Sequence, residues 1–165
     1  LDGMITGAHR TWLDSRRHDK APFETPRRAM GDLLGNAVRF GAGGEVMAAG
    51  EGIETVLSIR QVVPNMPMVA ALSAAHLAAI LFPDTLRRLY ILRDDDPAGD
   101  GARDSLIERA NAAGIEAIVL SPQCGDFNED LRNFDINALR AALRIQLSPE
   151  DVGRFLSTGL DGNSG

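Results

Sequence analysis

Four short apolar runs, Glu45–Ala49, Met68–Leu72, Arg88–Arg93 and Ile115–Leu120, are separated by stretches in which hydrophobic residues recur at helical spacing. Runs of this length, bounded by Gly, Pro and Asp, are what strands buried on both faces look like. After the first run Ile53, Val56 and Leu57 mark the inner face of a helix. After the second, Ser73 supplies an N-cap, Leu77, Ile80 and Leu81 face inward, and Pro83 ends the segment. After the third, Ala102, Leu106, Ala110 and Ala113 face inward, and Gly114 stands where a left-handed cap is needed. Strands alternating with such helices need crossover connections, so the expected class is α/β. The expectation is a Rossmann-like, mainly parallel sheet of about four strands, flanked by helices.

The flanking regions read differently. Met4 to Leu13 alternates like a strand, prolines and charges then interrupt the pattern, and Gly41-Ala42-Gly43-Gly44 makes a joint. Residues 1–44 are thus a small β-rich portion ahead of a core at 45–133. Asp135 and Ser148-Pro149 open helices, with Ile136, Leu139, Leu143 and Leu147 inward, so 134–157 is helical and 158–165 a flexible tail.

At 165 residues, 44% hydrophobic and 24% charged, the chain can bury one core without covalent staples. Its single cysteine, Cys124, excludes an internal disulfide and a Cys-rich zinc module, and fits a reducing, cytoplasmic setting. No apolar run approaches the roughly 20 residues that cross a bilayer, and no signal pattern opens the chain, so no membrane partner is expected. Beginning on Leu1, the chain reads as a piece of a longer one. The net charge of −6 argues against nucleic-acid affinity from bulk positive charge. That charge is uneven, however: +1 over residues 1–45, −3 over 46–100 and −4 over 101–165.

Ligands of open parallel sheets sit beyond the carboxyl ends of the strands. Here those positions are acidic: Gly50-Glu51-Gly52 follows the first strand, Asp94-Asp95-Asp96 the third, and Asp126, with Glu129 and Asp130, the fourth. Converging carboxylates repel one another unless a cation neutralises them, and oxygen-only donors select a hard ion such as Mg²⁺. Two residues apart on extended backbone, Asp94 and Asp96 can face one crevice while Asp95 points elsewhere. Glu51, between glycines at a helix start, stands where Gly52 lets a phosphate come close, and a raised pKa would suit it to acid–base work. His9 and His18 show no metal-ligand spacing, His76 on an Ala-rich helix reads as structural, and Trp12 reads as core.

Glu51-Gly52 after a strand, then Asp94-Asp95-Asp96-Pro97-Ala98-Gly99, then Gly125-Asp126-Phe127-Asn128 resembles the TOPRIM domain of bacterial-type primases. The likeness extends to primase-like proteins of plasmids, phages and other mobile elements. It covers residues 45–133, and more loosely 5–40, where Arg10-Thr11 and Lys20-Ala21 are similar to the β-rich segment that precedes TOPRIM in primases. The resemblance implies Glu51 as the acid–base residue, Asp94 and Asp96 as Mg²⁺ ligands (Mn²⁺ can substitute), and Asp126 at a second metal position. It implies nucleotidyl transfer: primer synthesis from NTPs on single-stranded DNA, with a helicase or relaxase on the same or a partner chain. Arg10, Lys20, Arg27 and Arg28 are then candidates for nucleotide or template phosphates.

Three other chemistries stand beside that one. Topoisomerase-type cleavage needs a tyrosine nucleophile, and Tyr90, the single tyrosine, falls inside an expected buried strand. A receiver- or phosphatase-like pocket needs a lysine late in the sheet, whereas Lys20 precedes the sheet altogether. A nuclease-type or non-catalytic TOPRIM module in a mobilisation or recombination complex also remains open.

Overall fold

The computed structural model describes residues 4–17 and 19–156. The expected runs become strands β6 (Val46–Gly50), β7 (Met68–Ala70), β8 (Arg88–Leu92) and β9 (Glu116–Leu120). Before them come β1 (Gly7–Thr11), β2 (Leu13–Asp14), β3 (Asp19–Lys20), β4 (Arg27–Gly31) and β5 (Val38–Phe40). The main sheet has five strands in the order β5-β7-β6-β8-β9. β7, β6, β8 and β9 are parallel, and β5 runs antiparallel along the β7 edge, pairing Val38 with Ala70 and Phe40 with Met68.

The fifth strand corrects the expected division at Gly41–Gly44. Residues 38–40 belong to the main sheet, because Val38 and Phe40 pack against the core. Gly41, at φ +86°, then turns the chain toward β6. The expected strand from Met4 to Leu13 is divided. β1 pairs with β4 and β2 with β3, with Trp12 between them donating its N–H to the Pro26 carbonyl at 2.9 Å. Trp12 is half-buried rather than core, with Phe23 edge-on at 6.4 Å and the Arg10 guanidinium 4.3 Å above its ring.

Helices cover both faces. α1 (Ile53–Val62), α4 (Phe127–Asn133) and α5 (Ile136–Gln146) bury Val56, Ile59, Phe127, Leu139 and Leu143 on one side with Tyr90 and Leu92. α2 (Ala74–Ala78) and α3 (Pro97–Ala112) bury Leu77, Ala102, Leu106 and Ala110 on the other with Leu89 and Ile91. Each fully buried aliphatic side chain contributes about 1.5–3 kcal/mol. Ser73, Asp96, Asp126, Asp135 and Ser148 cap their helices as short polar side chains do. Gly114 adopts φ +72° after α3. Four expected inward residues face out: Leu57, Leu81 and Ile136 are 41%, 50% and 37% exposed, and Ala113 is exposed. Ala113 lies past the end of α3, and Leu81 past the short α2, so helical periodicity no longer governs either.

The C-terminal turn, α6 (Pro149–Asp151) with the π-type turn Val152–Leu156, is docked by a buried polar cluster. The Tyr90 hydroxyl donates to the 1%-exposed Asp151 carboxylate at 2.6 Å, as do Arg88 at 2.7 Å and the Ser148 hydroxyl at 3.0 Å. These donors hold Asp151 below the ordinary carboxylate range against the opposing effect of burial. Tyr90 is thus a structural residue inside β8. His18 and the tail from Thr158 lie outside the described residues.

Candidate active site

The chain order sets the site. From β6 the sheet grows to β7 on one side and to β8 on the other, with α1 and α3 on opposite faces. The crevice between such diverging connections is the switch point of an open α/β sheet. Glu51 leaves β6 and Asp94 leaves β8 on its two sides, and Asp126 follows β9.

Local packing makes these turns tight. A Cβ at Gly50 would stand 3.1 Å from Val56 and 3.3 Å from Leu92, so α1 starts directly against β8. A Cβ at Gly99 would come within 2.5 Å of the Asp94 carbonyl oxygen, so the first turn of α3 presses on the Asp94 backbone. Around Glu51 the β7–α2 loop folds back: Ala71 N–H donates to the Gly50 carbonyl at 2.9 Å and Leu72 N–H to the Glu51 carbonyl at 2.8 Å. Leu72 does this at φ +77°, a left-handed conformation that costs a branched side chain about 1–2 kcal/mol. The Ala74 N–H bonds the Glu51 carboxylate.

The carboxylates feel one another. Burial, then Glu51, Asp126 and Asp96 in turn, push the Asp94 carboxyl up to about 6, while the Thr55 hydroxyl pulls the other way. Burial and Asp96 raise Glu51 above the usual glutamate range, opposed by the Ala74 N–H and Arg27. Asp96 caps α3 through the Gly99 N–H at 2.7 Å, and Asp126 caps α4 through the Glu129 N–H at 2.7 Å, each through one oxygen. Asp95 turns away to Arg93 at 2.6 Å. Among the described residues no ion pair engages Glu51, Asp94, Asp96 or Asp126.

A cleft of about 900 Å³ opens over Glu51, Gly52, Thr55, Asp94 and Asp126. Its opposite wall comes from the N-terminal strands: His9, Thr11, Lys20 and Arg27. Glu54, one helical turn from Glu51, pairs with Arg27 and, at 3.6 Å, with Lys20, which holds both cations above the acidic floor. Arg10 and Arg28 do not line the cleft. They sit opposite each other on β1 and β4, on the reverse side of the ribbon from Thr11 and Arg27. The sequence reading missed Thr55, Arg17, Arg132 and Asn128 at the cleft. Thr55, four residues after Glu51 on the same helix face, could have been found by spacing; Arg17 and Arg132 carry no local signal. Asp130 is 2% exposed and accepts the Gln123 and Cys124 N–H groups at 2.9 and 2.7 Å, and Glu129 accepts the Gly125 N–H at 3.1 Å, so both shape the loop.

The donor set bears on a divalent cation. Among the described residues no three His, Cys, Asp or Glu side chains form a ready-made ligand group. Yet Asp94 Oδ1 is buried with no hydrogen-bond partner, and three carboxylates raise the cost of its charge. A partly protein-ligated hard ion meets both conditions, since Mg²⁺ keeps several waters and takes one or two carboxylates. The residues present fit it in that open form.

Residues 46–134 match the Toprim domain family. This chain belongs to that family. Residues 1–40 match a family described as Domain of unknown function (DUF7146), so the ribbon over the Toprim cleft has a family of its own. No curated protein sequence matches the chain. Among solved structures it is similar to the primase fragment of the bacteriophage T7 primase-helicase protein, with TM-score 0.58, 14% identity, and 87% of this chain and 64% of that one covered. A DNA primase domain from Pseudomonas aeruginosa gives TM-score 0.54 and 16% identity over 88% and 52%. The zinc-binding and RNA polymerase domains of the Aquifex aeolicus primase give TM-score 0.47 and 24% identity over 62% and 26%. The first two likenesses place the Toprim core and the ribbon before it in a primase-type fold. The chain spans 26% to 64% of the length of these three. No helix among the described residues is long and apolar enough to cross a membrane.

Proposed function

We propose that this Toprim chain is the catalytic part of a primase-like nucleotidyltransferase, joining NTPs on a single-stranded DNA template with Mg²⁺, or Mn²⁺ in its place. One observation carries the reading: Asp94, with a buried unpartnered oxygen, sits among Glu51, Asp96 and Asp126 on the floor of a cleft walled by Lys20 and Arg27. A bound divalent ion there would neutralise charge developing on the transferred phosphoryl group. Asp94 and Asp96 would hold that ion, and Asp126 a second position beside it.

Glu51 accepts the proton of the attacking hydroxyl. Its raised pKa makes it a stronger base than a solvated glutamate, and the Ala74 N–H fixes the carboxylate's orientation. Gly52 leaves room for phosphate beside the start of α1. Lys20 and Arg27 face the cleft and meet substrate phosphates, with Glu54 limiting their swing. Arg10 and Arg28, on the ribbon's outer side, serve the template strand farther from the reacting atoms. A helicase or relaxase, on the same polypeptide or another, would deliver the strand.

The test is primer synthesis on single-stranded DNA with labelled NTPs and Mg²⁺. Glu51→Gln is expected to lose at least a hundredfold in rate, in line with loss of a general base. Undiminished synthesis by that variant rejects the assignment. A binding-only or nuclease-type module is the second reading, and it draws on the lack of a preformed three-ligand set among the described residues. Metal and DNA binding without primer synthesis would favour it.

A further inference from the structure

Behind the cleft lies a second chamber of about 340 Å³, a size at the lower end of small-molecule sites. Leu33 and Val38 line it beside β1, with Ile5, 93% exposed, at its solvent-open side, and Gly7 is held so close to Met30 and Leu33 that a Cβ there would stand 2.6 Å from the Met30 carbonyl oxygen. His9 and Leu72 border both the chamber and the carboxylate cleft, so the two spaces adjoin. The strained backbone of Leu72 falls at this shared boundary, where such strain marks a site more than a scaffold.

Besides Thr6 and His9, two polar residues line the chamber, Arg39 and Asn36. Among the described residues no carboxylate pairs with the Arg39 guanidinium and no acceptor takes a hydrogen bond from it. The amide nitrogen of Asn36 is engaged by the Asp32 carbonyl at 3.2 Å, which leaves its Oδ1 as an acceptor. An apolar slot with a planar double donor and a neighbouring acceptor is complementary to a flat heterocycle with two adjacent acceptors and a donor beside them. Guanine has that edge in O6, N7 and N1–H, whereas adenine sets an N6 donor against the arginine fork.

We propose that this chamber binds a guanine base, with the attached phosphates directed past His9 and Leu72 into the carboxylate cleft. The proposal rests on the reading of the cleft as a nucleotide site, and its test separates the two. Equilibrium titrations with guanosine and adenosine probe the chamber without phosphates; inorganic triphosphate with Mg²⁺ probes the cleft without a base. Wild type is expected to bind guanosine at least tenfold tighter than adenosine. Arg39→Gln and Arg39→Lys should each weaken guanosine roughly tenfold or more, since neither keeps the double donor, while triphosphate binding stays unchanged. Arg39 is exposed, so both variants should keep the wild-type melting temperature. Equal affinity for the two nucleosides, or guanosine binding unmoved in Arg39→Gln, overturns the proposal. Triphosphate bound equally by wild type and Asp94→Asn instead rejects the cleft reading, whatever the nucleosides do.

Discussion

Asp94→Asn should make the metal-free protein more stable while stripping it of function. The Asp94 carboxyl, ordinarily at 3.8, is pushed up to about 6, so the folded state holds this proton more tightly than the unfolded chain does. The folded state therefore binds more protons between about pH 4 and 6, and its stability falls as pH rises through that window. Roughly two pH units at about 1.4 kcal/mol each set an upper limit near 3 kcal/mol. Water at this partly exposed site screens the repulsion, leaving about 1–2 kcal/mol at pH 7.5. Asparagine keeps the shape and removes the charge, so Asp94→Asn should melt about 3–6 °C above wild type in EDTA at pH 7.5. The gap should close near pH 4. Saturating Mg²⁺ should reverse the order, since wild type gains about 2.7 kcal/mol at a hundredfold excess over Kd and the variant gains little. Calorimetry in EDTA and in Mg²⁺ at the two pH values reads all of this. A variant less stable than wild type in EDTA at pH 7.5, or a gap that does not shrink toward pH 4, refutes the argument.

Other perturbations follow from the packing. Gly99→Ala brings a methyl against the Asp94 carbonyl, and urea unfolding should show a loss of about 1–3 kcal/mol despite alanine's better helix propensity. Tyr90→Phe removes the buried hydroxyl from Asp151 and should cost about 1–3 kcal/mol by the same assay, with no change in metal affinity. Because Asp151 is held below its ordinary pKa, its contribution is present above pH 4 and is lost as pH falls through the lowered value; Asp151→Asn should flatten the acid limb of the stability curve. Glu54→Gln should change stability by less than about 1 kcal/mol, since its pairs are solvent-facing, yet alter the salt dependence of NTP binding by loosening Lys20 and Arg27.

The parallel core was legible because its strands are buried on both faces, which leaves uninterrupted runs such as 46–50 and 88–92 whose burial follows directly from composition. Capping residues, Asp135 and Ser148 among them, were legible for the same local reason. β5 was not, because three residues at an antiparallel edge carry no period, and only Val38 and Phe40 meeting the core decide their place. In the site, acidic residues after strands could be read from the order of elements alone. Which basic residues face them could not: Arg10 and Arg27 look alike in sequence, and one step of strand register on the β1–β4 ribbon sends them to opposite sides. The left-handed Leu72 has no sequence signal at all, since the surrounding fold imposes a conformation that leucine itself disfavours.

The claim that Asp94 and Asp96 hold a divalent ion beside Glu51 is tested most directly by anomalous diffraction from a crystal soaked in Mn²⁺. The account predicts a peak within about 2.0–2.3 Å of an Asp94 oxygen, with Asp96 drawn toward it, and no peak in Asp94→Asn. Peaks only away from Asp94, or none at millimolar Mn²⁺ in wild type, would contradict it.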